Sequence, residues 1–456
     1  MRTTPALFWL TISLLTCPLR GRAETLPEDL GSGRPGVDWT DFLGPGRSCK
    51  SPETGLDSDW SEPPPLVWQL ELGTGYAAPA VSRGRLLHFD RHGDQARLTC
   101  RNSETGKEVW RYEHGTQYTD MVGFNNGPRC SPVIDGNRVY TLGAEGELHC
   151  LSLADGKPLW RVDTDAKFNV VNNFFGVGST PLVIGDVLVV NVGGSPPDGP
   201  TDIYAVQGNV DGNGTGVVGF DKLSGEVRWR ATDELASYAS PVQSTFDGRP
   251  WCFILARGGL IGLDPRSGDV DFQFPWRARL LESVNASSPV VVGSRVFISE
   301  AYGPGSALLE VRAGAPKVVW QDEARSRDKS LELHWNTAIH HEGYLYGSSG
   351  QHAGTAELRC VALDTGEVAW RVPGLGRASL VAVDGHLICL SEDGTLRLLE
   401  ATAERYTLVG ELTLRDEAGK PLLEYPAWTA PVLSHGLLYV RGKGRLVCLE
   451  VIPPVE

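Results

Sequence analysis

The sequence predicts an all-β fold, an eight-bladed β-propeller of four-stranded antiparallel blades, and three observations indicate it. A glycine followed four residues later by a tryptophan recurs along the chain, as Gly106 and Trp110, Gly156 and Trp160, Gly225 and Trp229, and Gly366 and Trp370. The segments that end in these pairs are alike and recur about every 50 residues. Long helical periodicity is absent, whereas turns are frequent among the 456 residues, which include 54 glycines. Since one such unit cannot bury its apolar face alone, a closed ring of units is expected.

Each full unit divides into four short strands. In residues 131–161, SPVID forms the first strand, and RVYTLG, ELHCLSL and KPLWRVD follow as the second, third and fourth. RVYTLG alternates apolar and polar residues, which is typical of a half-buried strand. Gly156 precedes the fourth strand and supplies the positive φ that a tight hairpin turn requires.

Eight units begin in the same register, and the last one lacks a strand. The starts are Ala78-Pro79, Ser131-Pro132, Thr180-Pro181, Ser240-Pro241, Ser288-Pro289, Asn336-Thr337, Ser379-Leu380 and Ala430-Pro431. The final unit stops at residues 446–450, and LVWQLEL (66–72), with Trp68 in the tryptophan position, resembles the missing strand. We therefore expect the N-terminal strand to pair with the last blade and close the ring, which gives about 48 residues per blade.

Some units depart from the pattern. The fourth carries Phe272 in place of the tryptophan, and the seventh lacks both the glycine and the tryptophan. The third unit contains a long insert, residues 193–216, between its second and third strands. These departures predict local differences in packing within one architecture.

The N-terminus is typical of a secretory leader. Residues 1–23 are expected to be a signal peptide, because an apolar stretch at 6–17 follows Arg2 and small residues precede cleavage after Ala23. A lipid anchor at Cys17 is the alternative, since LLTC loosely resembles a lipoprotein box. The apolar stretch is too short to cross a bilayer, so no transmembrane segment is expected in the mature chain.

Composition and charge limit the remaining classes. Residues 24–64 are expected to be a linker and lead-in, flexible over 24–37, and residues 65–451 the propeller. The net charge of −14 argues against a nucleic-acid partner, which would need a cationic face. Four cysteines share the third-strand position and are expected to be buried core residues: Cys100, Cys150, Cys360 and Cys448. Two more, Cys49 and Cys130, fall in loop-like sequence and could form a bridge.

Four segments carry a family resemblance: YTLGAEGELHCLSLADGKPLW (140–160), VVGFDKLSGEVRWR (217–230), GYLYG with LRCVALDTGEVAWR (343–371) and LSEDGTLRLLEAT (390–402). Through them the chain resembles the pyrroloquinoline-quinone (PQQ) repeat superfamily, which has the quinoprotein alcohol dehydrogenase-like fold, and within it secreted bacterial PQQ-binding-like propellers. The resemblance implies that tryptophans near the outer strands dock neighbouring blades, namely Trp68, Trp110, Trp160, Trp229, Trp320 and Trp370. An indole buries a large area and needs one partner for its N–H, which agrees with that role.

The resemblance leaves two functions open. Dehydrogenases of the superfamily bind PQQ and Ca²⁺ in the central funnel, commonly beneath a vicinal cysteine pair, but this chain has neither a Cys-Cys pair nor a C-x-x-C-H haem motif. The chain is also similar to the propeller lipoprotein of the outer-membrane β-barrel assembly machinery, a scaffold. We therefore expect a non-catalytic binding or assembly propeller without a cofactor. The alternative is a PQQ-dependent alcohol or sugar oxidoreductase using PQQ and calcium, because fold alone does not establish function. Enzymology directed at sugars or peptides also stays open.

The non-catalytic interpretation carries expectations about partner and location. The partner is an envelope or secreted protein or a small polar ligand, and the protein itself is a monomer. It is expected to be exported across the inner membrane and to be periplasmic or associated with the cell surface.

A candidate ligand site lies in loops that converge at one end of the ring. The connections between blades and the second-to-third-strand loops hold unusual polar and aromatic residues: Tyr76, Asn125, Asn126, Arg129, Asn172, Asn173, Tyr238, Asn285, Trp335, Asn336, Arg377 and Trp428. Beside the central channel they would form a concave funnel. The alternative is that they bond loop backbones and line a water-filled pore.

No metal site is expected. His340 and His341 are neighbours on a strand and point to opposite faces, so they do not combine easily with His334 around one ion. Residues 211–216 match the front of a calcium loop, but Lys222 occupies the position that requires glutamate.

Overall fold

A computed structural model describes residues 25–454 except Ala205, Asn209 and Ala313, and it contains eight four-stranded sheets arranged as a β-propeller. Neighbouring strands in every sheet are antiparallel, and the predicted all-β fold and blade number are confirmed. The predicted signal peptide, residues 1–23, lies outside the described residues.

The first strand, β1 (Leu66–Glu71), precedes the first complete blade. Blade 1 contains β2 (Ala80–Ser82), β3 (Arg85–His92), β4 (Gln95–Asn102) and β5 (Glu108–Gly115). Blade 2 contains β6 (Val133–Asp135), β7 (Arg138–Leu142), β8 (Glu147–Ser152) and β9 (Pro158–Asp163). Blade 3 contains β10 (Leu182–Ile184), β11 (Val187–Asn191), β12 (Val217–Asp221) and β13 (Val227–Ala231). Blade 4 contains β14 (Val242–Phe246), β15 (Arg249–Leu255), β16 (Gly259–Leu263) and β17 (Val270–Pro275).

Blade 5 contains β18 (Val290–Val292), β19 (Arg295–Glu300), β20 (Gly305–Glu310) and β21 (Lys317–Gln321). Blade 6 contains β22 (Ile339–His341), β23 (Tyr344–Ser349), β24 (Glu357–Ala362) and β25 (Val368–Pro373). Blade 7 contains β26 (Ala378–Val383), β27 (His386–Ser391), β28 (Thr395–Glu400) and β29 (Leu408–Thr413). Blade 8 contains β30 (Val432–Ser434), β31 (Leu437–Gly442), β32 (Arg445–Glu450) and the N-terminal strand β1. Among the described residues, the helical elements are a 3₁₀ turn at Pro45–Arg47 and α1 at Thr164–Phe168.

The ring closes as the sequence predicts. Strand β1 pairs antiparallel with β32, and Trp68 lies opposite Cys448 in the register. Trp110 lies opposite Cys100 in the same way within blade 1. The four third-strand cysteines are fully buried, which confirms their assignment to the core. Cys49 and Cys130 are also buried, and both are free thiols rather than a bridge.

Each repeat tryptophan docks on the following blade. The indole Nε1–H donates to a backbone carbonyl in the turn between that blade's third and fourth strands, with N···O distances of 2.9 Å for Trp68 to Ser103, 2.9 Å for Trp110 to Leu153, 3.1 Å for Trp160 to Lys222, 3.1 Å for Trp229 to Pro265, 2.7 Å for Trp320 to Leu363 and 3.0 Å for Trp370 to Thr402. The docking geometry expected from the resemblance is therefore present at all six positions.

The repeat glycine is the contact surface for the tryptophan of the preceding blade. Gly156 has φ of 71°, and a Cβ added there would lie 2.5 Å from the Trp110 ring. Gly225 and Trp160 repeat the arrangement one blade later, with a corresponding distance of 2.7 Å. Glycine is thus required twice at this position, for its positive φ and for the close approach of an indole.

The irregular seventh blade takes its indole from outside the repeat. Gly410 lies opposite Leu398, in the register position that a tryptophan occupies in regular blades. Trp60, from the lead-in, packs over that glycine and is only 5% exposed; a Cβ on Gly410 would lie 2.4 Å from the Trp60 Cβ. In blade 4, Phe272 is buried at the tryptophan position. The lead-in therefore completes the packing that the seventh repeat lacks.

We call the end of the ring with the first-to-second and third-to-fourth turns the turn face, and the opposite end the cup face. Part of the lead-in, residues 38–53, crosses the central channel between the two faces, and we call it the channel plate. It forms backbone hydrogen bonds with the first strands of three blades, through Trp39 with Val81, Thr40 with Ile134, and Cys49 and Ser51 with Ala382. Through the Glu53 carboxylate it also accepts from the backbone N–H groups of His435 and Gly436.

Arg47 anchors the channel plate to two further blades. Its guanidinium forms a double hydrogen bond with Asp41, at 2.8 and 2.6 Å, and its side chain is 3% exposed. It also donates to the carbonyls of Thr180 and Pro241, at 3.2 and 2.7 Å, and to that of Pro181. Buried charge of this kind is stable only with its hydrogen bonds satisfied, so Arg47 ties the plate to blades 3 and 4.

The segment before the channel plate is held against the turn face, where it also contacts the end of the last strand. The composition of residues 24–37 predicts a flexible linker, yet the backbone N–H of Leu30 donates to the carbonyl of Arg83 in the turn between β2 and β3, at 3.1 Å. Arg34 forms an ion pair of 2.8 Å with Glu450 at the end of the last strand. A segment whose composition predicts a flexible linker is therefore held here by specific polar contacts.

Candidate functional site

The cup face contains an aromatic cavity on the ring axis, which we call the cup. Its volume is about 160 Å³. Its walls come from the connections between blades and from the starts of the first strands, and the channel plate forms its floor. The lining residues are Phe42, Leu43, Cys49, Tyr76, Phe124, Arg129, Phe175, Gly178, Tyr238, Val284, Ala286, Trp335, Asn336, Thr337, Ser379, Leu380, Trp428, Thr429 and Ala430.

Six of the twelve predicted funnel residues line the cup: Tyr76, Arg129, Tyr238, Trp335, Asn336 and Trp428. The other six, Asn125, Asn126, Asn172, Asn173, Asn285 and Arg377, lie outside its lining. Asn125 accepts from the backbone N–H of Gly127, whereas Asn173 and Asn285 donate to the carbonyls of Ala236 and Ala256. Arg377 stacks behind the wall. The structure therefore brings half of the predicted residues together at the cup, whereas Asn125, Asn173 and Asn285 bond loop backbones.

The aromatic rings form a connected wall. The centroids of Trp335 and Trp428 are 4.6 Å apart, and those of Tyr76 and Trp428 are 5.2 Å apart. Phe124 reaches both sides of the mouth, with its centroid 5.9 Å from that of Trp428 and 6.0 Å from that of Phe175. Contacts at these separations favour tilted and edge-to-face packing, which holds the rings in a defined arrangement.

An ion pair supports the tryptophan side of the cup. The Arg377 guanidinium lies 4.5 Å from the centroid of Trp335 and 5.3 Å from that of Trp428, and it pairs with Glu392 at 2.5 Å. The Nε1–H of Trp428 donates to the same carboxylate at 3.0 Å. Burial raises the pKa of Glu392, but the hydrogen bonds from Arg377 and Trp428 outweigh burial and hold the pKa below its ordinary value. Both indoles are therefore held by a charged network that is internally compensated.

The opposite wall is compensated in the same way. Arg129 pairs with the fully buried carboxylate of Asp120 at 2.8 Å and donates to the carbonyls of Gly127 and Asn125 at 2.6 and 2.8 Å. The hydroxyl of Tyr238 accepts from the backbone N–H of Phe175 at 2.7 Å. These polar groups hold loops in place and leave few donors or acceptors directed at a ligand.

The remaining polar and ionisable groups of the cup are likewise bonded within the protein or neutral. The side-chain amide of Asn336 donates to the carbonyl of Ser348 at 2.8 Å and accepts from its backbone N–H at 3.2 Å. Burial raises the pKa of both Tyr76 and Tyr238, so both phenols stay protonated near neutral pH. Burial also raises the pKa of the Cys49 thiol in the floor, to about 12. Among the described lining residues, none combines a free position with a pKa suited to proton transfer near neutrality.

The lining does not fit a calcium-bound quinone. Calcium takes six to eight oxygen ligands, largely carboxylates and carbonyls. The described lining residues include no aspartate or glutamate, and the neighbouring Glu392 and Asp120 carboxylates are already paired with arginines. We therefore derive no chemical step through PQQ and calcium at this cup.

The three histidines of the sequence analysis lie in two elements, His334 in the connection before blade 6 and the other two in its first strand. The Nε2 atom of His334 lies 2.8 Å from the Tyr302 hydroxyl, and its ring stacks on Trp335 at 3.9 Å between centroids. Burial lowers the pKa of His334 to about 3, so the ring is neutral. His340 and His341 belong to β22. Over the described residues, no group of three or more histidine, cysteine, aspartate or glutamate side chains could hold a metal ion.

Sequence reasoning missed the floor and part of the wall. Phe42, Leu43 and Cys49 belong to the lead-in, which the repeat pattern does not include. Phe124 and Phe175 lie in the same inter-blade connections as predicted residues, so their position after a fourth strand was an available signal.

The repeat region also matches the model of a known protein family. The model of the family described as outer membrane protein assembly factor BamB matches residues 94–372. The chain belongs to this family. No curated protein sequence matches it.

Solved structures share the fold of this BamB-family chain. It is similar to BamB from Moraxella catarrhalis, with a TM-score of 0.57 and 16% identity over 85% of this chain and 98% of that one. It is also similar to the quinohemoprotein alcohol dehydrogenase from Comamonas testosteroni, with a TM-score of 0.59 and 12% identity over 92% and 81%. A computationally designed protein, Ika8, matches with a TM-score of 0.51 and 11% identity over 85% and 98%. These likenesses establish the propeller architecture, which an assembly factor and an oxidoreductase share.

Within the described part of the chain, no helix has the length and apolar character needed to cross a membrane.

Proposed function

We propose that the protein is a non-catalytic binding or assembly module that works without a cofactor and binds a partner at the cup. One observation carries this proposal: the cup is an aromatic cavity whose arginine, Arg129, and asparagine, Asn336, are already satisfied by internal partners. Such a cavity suits recognition, because binding sites combine apolar walls with a few fixed polar groups. The described lining residues offer no carboxylate or imidazole for acid–base chemistry.

We further propose an extracytoplasmic location for a monomeric chain. The leader-like residues 1–23 and the family's description as an outer membrane assembly factor support export and an envelope partner. The alternative function, a PQQ-dependent oxidoreductase, is supported by the fold alone. The described residues that line the cup include no carboxylate that could bind calcium.

Two measurements test the proposal. The purified protein is incubated with PQQ and Ca²⁺, desalted, and assayed for retained quinone absorbance and dye-linked alcohol or sugar oxidation. We expect neither; retention together with oxidation would establish the oxidoreductase instead.

The second measurement locates the binding face. A photo-crosslinking residue replaces Tyr425, which is 53% exposed and 5.8 Å from the Trp428 ring, or Leu159, which is 46% exposed on β9. We expect one defined envelope protein to crosslink at position 425 and not at position 159. Equal crosslinking at both positions would contradict binding at the cup.

A further inference from the structure

The size of the cup limits what it can hold. A cavity volume of about 160 Å³ is close to that of an engineered apolar cavity of about 150 Å³ that accommodates benzene. The channel plate closes the cavity from below, because Phe42, Leu43 and Cys49 lie in its floor. The enclosed part of the cup therefore has room for about one ring or one branched aliphatic group, and the rest of a larger ligand would lie outside it.

The chemistry of the cup selects an uncharged group. Arg129 and Arg377 approach it from opposite sides, and each is paired with a carboxylate, Asp120 or Glu392. An anion gains no free cation there, and a cation would have to compete with Arg377 for the face of Trp335. A polar ligand would find few hydrogen bonds to replace the hydration that it loses, which is unfavourable. Charge complementarity thus favours a neutral apolar group.

The surface around the mouth extends this apolar character. Met121, Val122 and Phe124, on the connection between blades 1 and 2, are 47%, 46% and 54% exposed. Tyr425, on the connection between blades 7 and 8, is 53% exposed beside Trp428. A free small molecule in the cup would leave these side chains exposed. A polypeptide that inserts one side chain into the cup would cover them with the residues that flank that side chain. Exposed apolar groups of this kind around a pocket mark a protein-binding surface.

We infer that the cup receives a single uncharged aromatic or branched aliphatic side chain from an extended polypeptide, whose neighbouring residues lie on the apolar rim. This inference rests on the proposed binding function and names the chemistry of its partner. The inserted side chain would contact the rings of Tyr76, Trp335 and Trp428. The polypeptide residues on either side of it would contact Met121, Val122 and Tyr425 on the rim.

The test uses capped pentapeptides of the form acetyl-Gly-Gly-X-Gly-Gly-amide, with phenylalanine, leucine, alanine, glutamate or lysine at X. Binding to the full chain is measured by equilibrium dialysis and by saturation-transfer difference NMR. We expect the phenylalanine and leucine peptides to bind roughly tenfold or more tightly than the alanine peptide, since burial of a large apolar side chain supplies that factor. The glutamate and lysine peptides should bind no better than alanine. Equal binding of all five would overturn the inference.

Variants locate the peptide in the cup. Ala430→Leu fills the cavity without removing any contact group, and Ala369→Leu makes the same change at an exposed position of β25. We expect the phenylalanine peptide to bind at least tenfold more weakly to Ala430→Leu and equally well to Ala369→Leu. If Ala430→Leu does not fold, Ala286→Leu provides a second filling of the same cavity. Unchanged binding to a folded cup-filling variant would overturn the inference.

A last probe distinguishes a polypeptide from a free small molecule. N-acetyl-phenylalaninamide presents the same ring without flanking residues, so we expect it to bind several-fold more weakly than the phenylalanine pentapeptide. Equal affinity would refute the role of the rim. Failure of these peptide measurements would refute the ligand class alone, whereas retention of PQQ with oxidation would refute the proposed function itself.

Discussion

The contact between Gly156 and Trp110 gives a direct test of how the repeat produces the ring. In Gly156→Ala the new Cβ would lie 2.5 Å from the indole of the preceding blade, at a residue with φ of 71°. The left-handed conformation alone costs alanine about 1–2 kcal/mol, and crowding of the indole adds about 1–3 kcal/mol. We expect a total loss of about 2–5 kcal/mol in the free energy of unfolding.

A matched control separates the two costs. Gly185→Ala places alanine at φ of 57° in another turn, with nothing within 4 Å of the added Cβ. It should lose only the conformational contribution, about 1–2 kcal/mol. The measurement is guanidinium denaturation followed by circular dichroism, with all variants compared under one set of conditions.

A double-mutant cycle then isolates the steric contribution. When Trp110→Ala is already present, Gly156→Ala should cost only about as much as the control, which gives a coupling of about 1–3 kcal/mol between the two positions. Equal losses for Gly156→Ala and Gly185→Ala, together with additivity in the cycle, would refute the inter-blade contact as the reason for the repeat.

Three further outcomes are expected. Trp160→Ala should lower the free energy of unfolding by about 3–5 kcal/mol, and an unchanged denaturation midpoint would contradict its docking role. The His435 ring contacts two acceptors, the Asp38 carboxylate and the Arg34 carbonyl, and the hydrogen bond with Asp38 is the main cause that raises the pKa of His435. Protonated His435 therefore stabilises the fold fully below the ordinary histidine pKa, and this stabilisation is lost as pH rises through the raised value. Melting temperatures from pH 5 to 9 should show this loss in the parent protein and not in His435→Gln. Because burial raises the pKa of the Cys49 thiol to about 12, iodoacetamide at pH 8 should modify it only after denaturation, as read by mass spectrometry; rapid labelling of the native protein would contradict its burial.

The sequence predicts the ring well because its signals are local and repeated. Tight hairpin turns require glycine before the fourth strand of a regular unit, and burial of one face favours a tryptophan at a fixed interval, as in Gly156 and Trp160. Burial of the same face also explains why the last unit, which is one strand short, needs a strand from elsewhere. The pairing of β1 with β32 follows from counting strands. The partner of each tryptophan was not readable, because Trp110 contacts Gly156 across 46 residues and a blade boundary.

The cup was only half predictable. Tyr76, Trp335 and Trp428 follow inter-blade boundaries, so the topology alone brings them to one face. The channel plate departs from the repeat, and its path depends on buried contacts such as that of Arg47 with Asp41. The composition of residues 24–37 predicted a flexible linker. Composition describes the average polarity of a segment and does not show which of its residues form long-range hydrogen bonds.

Both ends of the propeller leave from the side opposite the cup. Leu26 lies beside Gly136 in a first-to-second turn, and the backbone N–H of Ile452 donates to the Gly436 carbonyl in another. A support or membrane tethered through either end would therefore sit behind the molecule, with the aromatic mouth directed outward into solution. A sensor surface or affinity tag that approaches the propeller from the side of Leu26 and Ile452 would therefore leave the mouth uncovered.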